Sequence, residues 1–360
     1  MSRVVTASQR ALRALDTDRS RNRFSSIGGC NGSRRISESL IIPLSIPTPF
    51  PVGPVNVYLV MREPVTLIDS GPLTDEAWEA LTAGLAKAGL KVADIERVLL
   101  THGHQDHFGL AQKVADLSGA RLLGGRLDRE LFRMRRHSKL LLDGLARAGF
   151  GIGARFLMMV SVSHVDHFAA PLAAWDELTG GETLPGDGWS VVVRSTPGHT
   201  PGSLTFEIPE AGLLFTGDTV LRDITPNAIV DEDPERPGEA FRSVSRYFET
   251  LDAIGKTNAG SSLLTGHGRP IPDYPAHREK VRRKYDLRIA HIEQALETGP
   301  KSVRALVAAL FPKVTSVNVF LAFSEVLGFL MYLEDAGRVE RIATPLRDRY
   351  RLVPETRRFA

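Results

Sequence analysis

The chain has 360 residues, 24% charged and 42% hydrophobic, enough apolar surface for a sizeable core and about two domains, which excludes disorder as the main state. The single cysteine, Cys30, excludes a disulfide framework and any cysteine-based metal site. The longest apolar candidate for a membrane span, Val317 to Leu333, is broken by Asn318, Ser324 and Glu325, so no membrane association is expected and the setting is cytoplasmic.

The net charge of +3 is segregated. Residues 1–40 carry +5, residues 121–160 carry +6, and the chain from His277 onward carries +6, which leaves −14 for the rest. Basic surfaces around an acidic core favour anionic ligands. Residues 1–38 are rich in Arg, Ser, Asn and Gly and lack an apolar h-region, so a secretory signal is not expected. The Arg-rich bias is shared by organelle transit peptides, but a disordered tail is the plainer reading.

From Leu40 the pattern predicts strands at Leu40–Ile46, Asn56–Met61 and Val65–Asp69, then a helix over Asp75–Gly89 closing on glycine. Ile95–Thr101 is an apolar run feeding a loop, and Leu110–Ser118 the next helix. Residues 126–175 are helical, basic and Met-rich, and read as an insertion. Strands follow at Trp189–Ser195, Ser203–Ile208 and Leu213–Thr216, a helix over Glu239–Ile254, and a last strand at Ser261–Thr265. Strands interleaved with helices predict an α/β layered sandwich. After Pro275 the texture changes: helices over His277–Glu297, Val303–Phe311 and Val317–Ala336, then a hairpin with Pro345 near its turn. Three helices and a hairpin outline a winged helix over 277–352, beside a main domain over 39–276.

The decisive segment is Thr101-His102-Gly103-His104-Gln105-Asp106-His107. Four ligand-type side chains in six residues cannot all serve one closed tetrahedral site. They suit two adjacent ions with nitrogen and oxygen ligands. His199, Asp218 and His267 each follow an apolar strand and a glycine, which lets the backbone turn so that the ligand points into a cleft.

This pattern resembles the metallo-β-lactamase superfamily over residues 40–275. His102-x-His104-x-Asp106-His107, then His199, Asp218 and His267, match its motifs in order and spacing. The resemblance implies an αββα sandwich in which His102, His104 and His199 hold one metal, Asp106, His107 and His267 the second, and Asp218 bridges both. Asp106 is given a second, catalytic role in taking up or orienting a proton. Asp69 resembles the family's ligand-orienting aspartate; a turn-capping role is the bland reading. Two divalent cations about 3.5–4 Å apart bring a shared water to hydroxide near neutral pH and polarise a carbonyl or phosphoryl oxygen. Zinc suits the ligands best, and iron or manganese fit the same set.

Departures from the family's branches narrow the reaction. The commonest true β-lactamases carry a cysteine where this chain has Asp218, and the flavodiiron-type oxidoreductases carry glutamate in place of the second histidine, here His104. The span from Asp218 to His267 is too short for the large inserted domain of the nucleases. The C-terminal outline resembles the LACTB2-like branch, which includes single-strand endoribonucleases. In the module's third helix, Val317, Phe320, Leu321, Phe323, Leu327, Leu330, Met331 and Leu333 suit packing, and no basic residue is offered to base edges. Sequence-specific DNA binding is therefore not expected, and the same apolar helix could close a homodimer. The helix from His277 carries Arg278, Lys280, Arg282, Arg283, Lys284 and Arg288; Arg282 and Arg283 are the substrate-contact candidates, toward a phosphate, against an ordinary solvated face.

His164-Val165-Asp166-His167 is a polar loop near the cleft mouth rather than a third metal site. His137, His277 and His291 are solvated. Phe132, Met134, Phe150, Phe156, Leu157, Met158 and Met159 beside Arg133, Arg135 and Arg136 form a lid for an acyl or aromatic group, or simply core. The expected function is a dinuclear metal-dependent hydrolase of a thioester, activated ester or lactone with a small anionic substrate. The alternatives are a single-strand endoribonuclease and a non-catalytic binding protein on the same scaffold; the complete ligand set argues against the last.

Overall fold

The computed structural model describes residues 41–354, apart from 136–137, 228, 259 and 315–317. The expected tail over 1–38, together with Arg136, His137 and Val317, lies outside the described residues.

Two sheets are built from strands that alternate between two buried faces. The first has six strands in chain order, β1 (Ile41–Ile46), β2 (Val55–Val60), β3 (Thr66–Ile68), β4 (Arg97–Leu100), β5 (Arg121–Gly125) and β6 (Asp176–Leu178). The β1–β2–β3 pairs are antiparallel and β3 to β6 are parallel. The second sheet has the order β11 (Ser262–Thr265), β10 (Leu213–Gly217), β9 (Leu204–Ile208), β8 (Trp189–Ser195), β7 (Thr183–Gly186). Period-2 alternation then makes the layers. Tyr58, Val60, Ile68, Leu99 and Leu123 of the first sheet meet Val191, Val193, Phe206 and Phe215 of the second. Their neighbours Val57, Leu59, Leu67, Val98 and Leu100 turn outward onto α1 (Asp75–Lys87) and α2 (Ala111–Ser118). The outer face of the second sheet, through Leu214 and Leu263, packs on Val244, Tyr247, Leu251 and Ile254 of α5 (Ser243–Thr257). Helix, sheet, sheet, helix is the αββα sandwich the sequence predicted.

The 126–175 segment is the connection between the parallel strands β5 and β6. It carries α3 (Ser138–Arg147) and α4 (Ile152–Val165). The lid reading is corrected for three of its seven apolar residues. Phe132 is fully buried between Phe108 and Trp175, Phe150 packs edge-on against Phe323, and Met158 joins the same buried cluster. They are core. Phe156, 70% exposed, and Leu157 remain at the surface.

The C-terminal region is three helices followed by an antiparallel hairpin, β12 (Val339–Ile342) with β13 (Arg349–Leu352). The first, α6 (Tyr274–Leu296), begins three residues before the expected start. Asp273 caps it by accepting from the Ala276 N–H at 3.0 Å, and Pro275 is tolerated because it falls in the first turn. α7 (Val303–Leu310) and α8 (Val319–Asp335) follow. Phe323, Phe329, Leu330 and Leu333 of α8 are buried within this chain, in a cluster that runs without a break from α5 and the second sheet through α6 and α7. The apolar helix that suggested a homodimer is thus already covered. His277 also departs from expectation: it is buried on α6, its Nε2 3.0 Å from the Leu221 carbonyl, and burial lowers its pKa. It lies on the inward stripe with Val281, Tyr285, Ile289 and Ile292. His291 is exposed, as expected. No helix among the described residues is long and apolar enough to cross a membrane.

Candidate metal centre

All seven expected ligands meet at one edge of the sandwich, each delivered by the end of a strand. The segment after β4 supplies His102 and His104, and a single helical turn, Gln105–Phe108, turns Asp106 and His107 inward. Loops after β8, β10 and β11 bring His199, Asp218 and His267. Gly198, Gly217 and Gly268, flanking these three, all have positive φ, as the sharp turns require.

The ring nitrogens converge in two sets. His104 Nδ1 lies 3.1 Å from His102 Nε2 and 2.9 Å from His199 Nε2. On the other side His267 Nε2 is 3.3 Å from Asp106 Oδ2. Asp218 stands between the sets, with Oδ1 3.4 Å from His107 Nε2 and Oδ2 3.8 and 3.7 Å from His199 and His267. The groups His102–His104–His199 and Asp106–His107–His267 each place their ligand atoms close enough to hold one ion. Asp218, which groups with His102 and His107, also has an oxygen near His199 and His267 and so touches both sets.

The residues fit a pair of cations on two further observations. His107 Nε2, His267 Nε2 and Asp218 Oδ1 are buried with no hydrogen-bond partner, an arrangement that costs free energy unless something else binds them. The outward nitrogens of His102, His107, His199 and His267, by contrast, are engaged. His102 Nδ1 is 3.1 Å from Thr101 Oγ1, His107 Nδ1 2.8 Å from Asp69 Oδ2, and His267 Nδ1 2.9 Å from the Pro54 carbonyl. His199 Nδ1 is 3.3 Å from the Asn227 carbonyl. Rings fixed from behind leave their inner nitrogens for a metal.

The electrostatics divide between the two sets. Burial, with the neighbouring histidines, lowers the pKa values of His102 and His199 and brings His104 down to about 3, the neutral state that binds metal. Burial would also lower His107 and His267, but the carboxylates of Asp218, Asp69 and Asp106 around His107, and of Asp218 and Asp106 around His267, outweigh it and raise both. Burial opposes the ionisation of Asp106 and Asp218, yet the surrounding histidines hold both carboxyls below the usual range. Five imidazoles and two carboxylates of this kind form a nitrogen–oxygen set suited to divalent transition metals.

Asp69 is no mere turn cap. At φ 62° it ends β3 and accepts from the Thr101 N–H and hydroxyl besides facing His107. Arg282 and Arg283 are not brought to the cluster. Arg282 lies over the Phe248 ring at 4.1 Å and faces Asp286, and Arg283 is exposed. The flank of α6 that meets the loop after Asp218 carries other cations. Arg288 donates to Thr225 Oγ1, and Lys284 and Lys280 lie one and two turns before it on the same side of the helix. His164 and His167 are exposed, and no metal-type group forms there among the described residues. Gln105 donates to Asp166 Oδ1 at 3.1 Å, so that stretch does border the ligand loop. Sequence reasoning missed the backbone carbonyls of Pro54 and Asn227, which no residue type signals, and Asp128, hidden in a charged run.

The metallo-beta-lactamase superfamily model matches residues 50–267. The "Probable metallo-hydrolase YqjP" of Bacillus subtilis is 30% identical over 303 residues, covering 82% of this chain and 92% of its own. A hydroxyacylglutathione hydrolase of Anaeromyxobacter dehalogenans is 27% identical over 241 residues, 66% of this chain and 73% of that protein. Among solved structures, a metallo-beta-lactamase family protein from Thermus thermophilus superposes with a TM-score of 0.74 at 27% identity, covering 88% of this chain and 99% of that one.

Proposed function

The chain belongs to the metallo-β-lactamase superfamily and is a metallo-hydrolase of that family, and from that premise we propose that it is a dinuclear, zinc-dependent hydrolase of a thioester, or of a similarly activated ester or lactone. The observation that carries the dinuclear reading is the paired ligand sets joined by Asp218, with His107 Nε2, His267 Nε2 and Asp218 Oδ1 buried without a hydrogen-bond partner and the outer nitrogens of four of the five histidines tied. When bound, two divalent cations supply an activated water and a polarised acyl oxygen near neutral pH. The protein's own part is positional. Asp69 and Thr101 fix the His107 and His102 rings, and Pro54 and Asn227 fix His267 and His199 through their carbonyls. Asp106, facing His267, is placed to take up or orient a proton. The thioester preference is supported by the similarity to a hydroxyacylglutathione hydrolase.

An anionic substrate group meets cations on the flank of α6 next to the 221–226 loop. Lys280 and Lys284 share that side of the helix with Arg288, which donates to Thr225 Oγ1, and the role expected of Arg282 and Arg283 is assigned to them instead. We read the three-helix module and its hairpin as a winged helix of the LACTB2-like kind, on the order of its elements. The endoribonuclease reading lacks a stacking platform, since bases bound along a basic groove usually stack on aromatic side chains. Tyr285, the single aromatic along the basic part of α6, is 3% exposed, stacks on Tyr247 and donates to the Pro226 carbonyl.

The test is turnover of acyl-coenzyme A, acyl-glutathione, lactone and single-stranded RNA substrates by metal-analysed protein, with Asp218→Ala as the blank. Thioester or lactone cleavage that vanishes in the blank supports the proposal. Cleavage of RNA alone overturns it.

A further inference from the structure

A second buried carboxylate serves the ligand loops without touching a ligand side chain. Asp128 ends the short helical turn Arg126–Asp128 after β5 and is fully buried. Its Oδ2 accepts from the Gly103 N–H at 2.8 Å and from the Thr200 hydroxyl at 2.7 Å, and its Oδ1 accepts from the Gly202 N–H at 2.7 Å. Gly103 sits between His102 and His104, and Thr200 follows His199. One carboxylate therefore ties together two loops far apart in the chain. Burying a charge is costly unless it is well satisfied, and among the described residues Asp128 has no ion-pair partner. Its three donors all belong to the ligand loops. The fit leaves no slack: a Cβ on Gly202 would stand 2.3 Å from the Asp128 nitrogen and 2.7 Å from its carboxylate carbon.

We propose that Asp128 is a positioning residue for the three-histidine half of the metal centre, setting the distance between His199 and the His102–His104 pair. The three ring nitrogens converge because the loops that carry them share this acceptor. Asp69 serves the other half differently, by bonding the His107 ring itself. Asp69 governs a ring's orientation and Asp128 the spacing of two loops. Loss of Asp128 should then weaken one ion and spare the other.

The inference rests on the reading of the cluster as a two-metal centre, and the experiment separates the two. Metal-stripped full-length protein is titrated calorimetrically with Zn²⁺, and the visible spectrum is followed on loading with Co²⁺. Asp128→Asn keeps the shape but turns one acceptor into a donor. Thr200→Val keeps the carboxylate and removes one donor. Wild type should take up two equivalents. Both variants should bind one equivalent more weakly, Asp128→Asn by roughly 10–100-fold as when outer partners of metal ligands are lost, with an altered Co²⁺ spectrum and the other equivalent unchanged. Two unchanged equivalents, or an equal loss at both, overturn the role; if Asp128→Asn does not fold, Thr200→Val decides by the same criteria. Wild-type protein that takes up no metal overturns the metal-centre reading and this inference together.

Discussion

Asp69 holds His107 from behind: Asp69 Oδ2 lies 2.8 Å from His107 Nδ1, with both side chains buried. The opposite nitrogen of the ring, Nε2, faces Asp218. Asp69 does this from a left-handed conformation that costs a non-glycine residue about 1–2 kcal/mol. The cost is offset where the same carboxylate also accepts from the Thr101 N–H and hydroxyl.

Asp69→Asn therefore presents an amide N–H to groups that already donate. Affinity for the ion held by His107 should fall by roughly 10–100-fold, with the His102–His104–His199 ion retained. Competition with a graded series of chelators, followed by elemental analysis, measures both. Equal retention of two ions would show Asp69 to be a turn cap after all.

Asp218 touches both ligand sets, with an oxygen within 3.8 Å of His107, His199 and His267. Asp218→Ala should remove both ions at micromolar free metal and abolish hydrolysis. Dialysis against buffered zinc gives the stoichiometry. A variant that keeps two ions and wild-type turnover would refute the bridging position.

The ligand set was legible because each ligand ends an apolar strand, a context that chain order alone displays. The core of the sandwich was legible for the same reason, through period-2 strands such as Trp189–Ser195. Three strands were not. β5 reads Arg-Leu-Leu-Gly-Gly, and glycines argue against a strand; here Gly125 faces the Gly202 carbonyl so closely that a Cβ would stand 2.0 Å away. β6 and β7 are short and partly polar. Lid and core could not be told apart at Phe132, Phe150 and Met158 because helical Met and Phe residues suit both, and only the fold reveals that Phe150 meets Phe323. Arg282 and Arg283 were chosen for charge. At about 100° per residue, however, the flank that meets the loop after Asp218 falls to Lys280, Lys284 and Arg288.

Asp128 should leave a pH signature in metal-free protein. Burial raises its pKa from 3.8 to about 6, against the pull of the Thr200, Gly202 and Gly103 donors and helped by Asp231. Between these values the folded state holds a proton that the unfolded state has released. The stabilisation is present below pH 4 and is lost as pH rises through 6, by about 3 kcal/mol at 1.36 kcal/mol per unit. Urea denaturation of wild type and Asp128→Asn at pH 4 and pH 7 checks this. The stability difference between the two proteins should shift against wild type at the higher pH. A difference independent of pH would contradict the shift.

Phe323 joins the C-terminal helices to the β5–β6 connection. It is fully buried and meets Phe150 at 5.8 Å, while Arg147 and Asp348 form an ion pair nearby. Phe323→Ala should cost about 3–5 kcal/mol. Because one hydrophobic cluster runs from α5 to the hairpin, far- and near-ultraviolet circular dichroism should report coincident transitions. Separate transitions for the C-terminal region would show that it folds on its own.

The cations on the flank that meets the loop after Asp218 provide the sharpest contrast within one helix. Lys284 lies near Lys280 and Arg288, with its pKa lowered first by burial and then by these like charges, while Asp223 opposes the shift. Asp223 pairs with Arg269, two residues beyond His267. Lys284→Glu should raise KM for a substrate bearing a phosphate several-fold, with kcat little changed, since the interaction serves ground state and transition state alike. The deficit should shrink as salt rises, because screening weakens exposed charge pairs. Arg283→Glu, on an exposed part of the same helix, should have little effect. Steady-state kinetics of both variants across a salt series decides between the two flanks. A KM effect at Arg283 and none at Lys284 would return the anion contact to where charge alone first placed it.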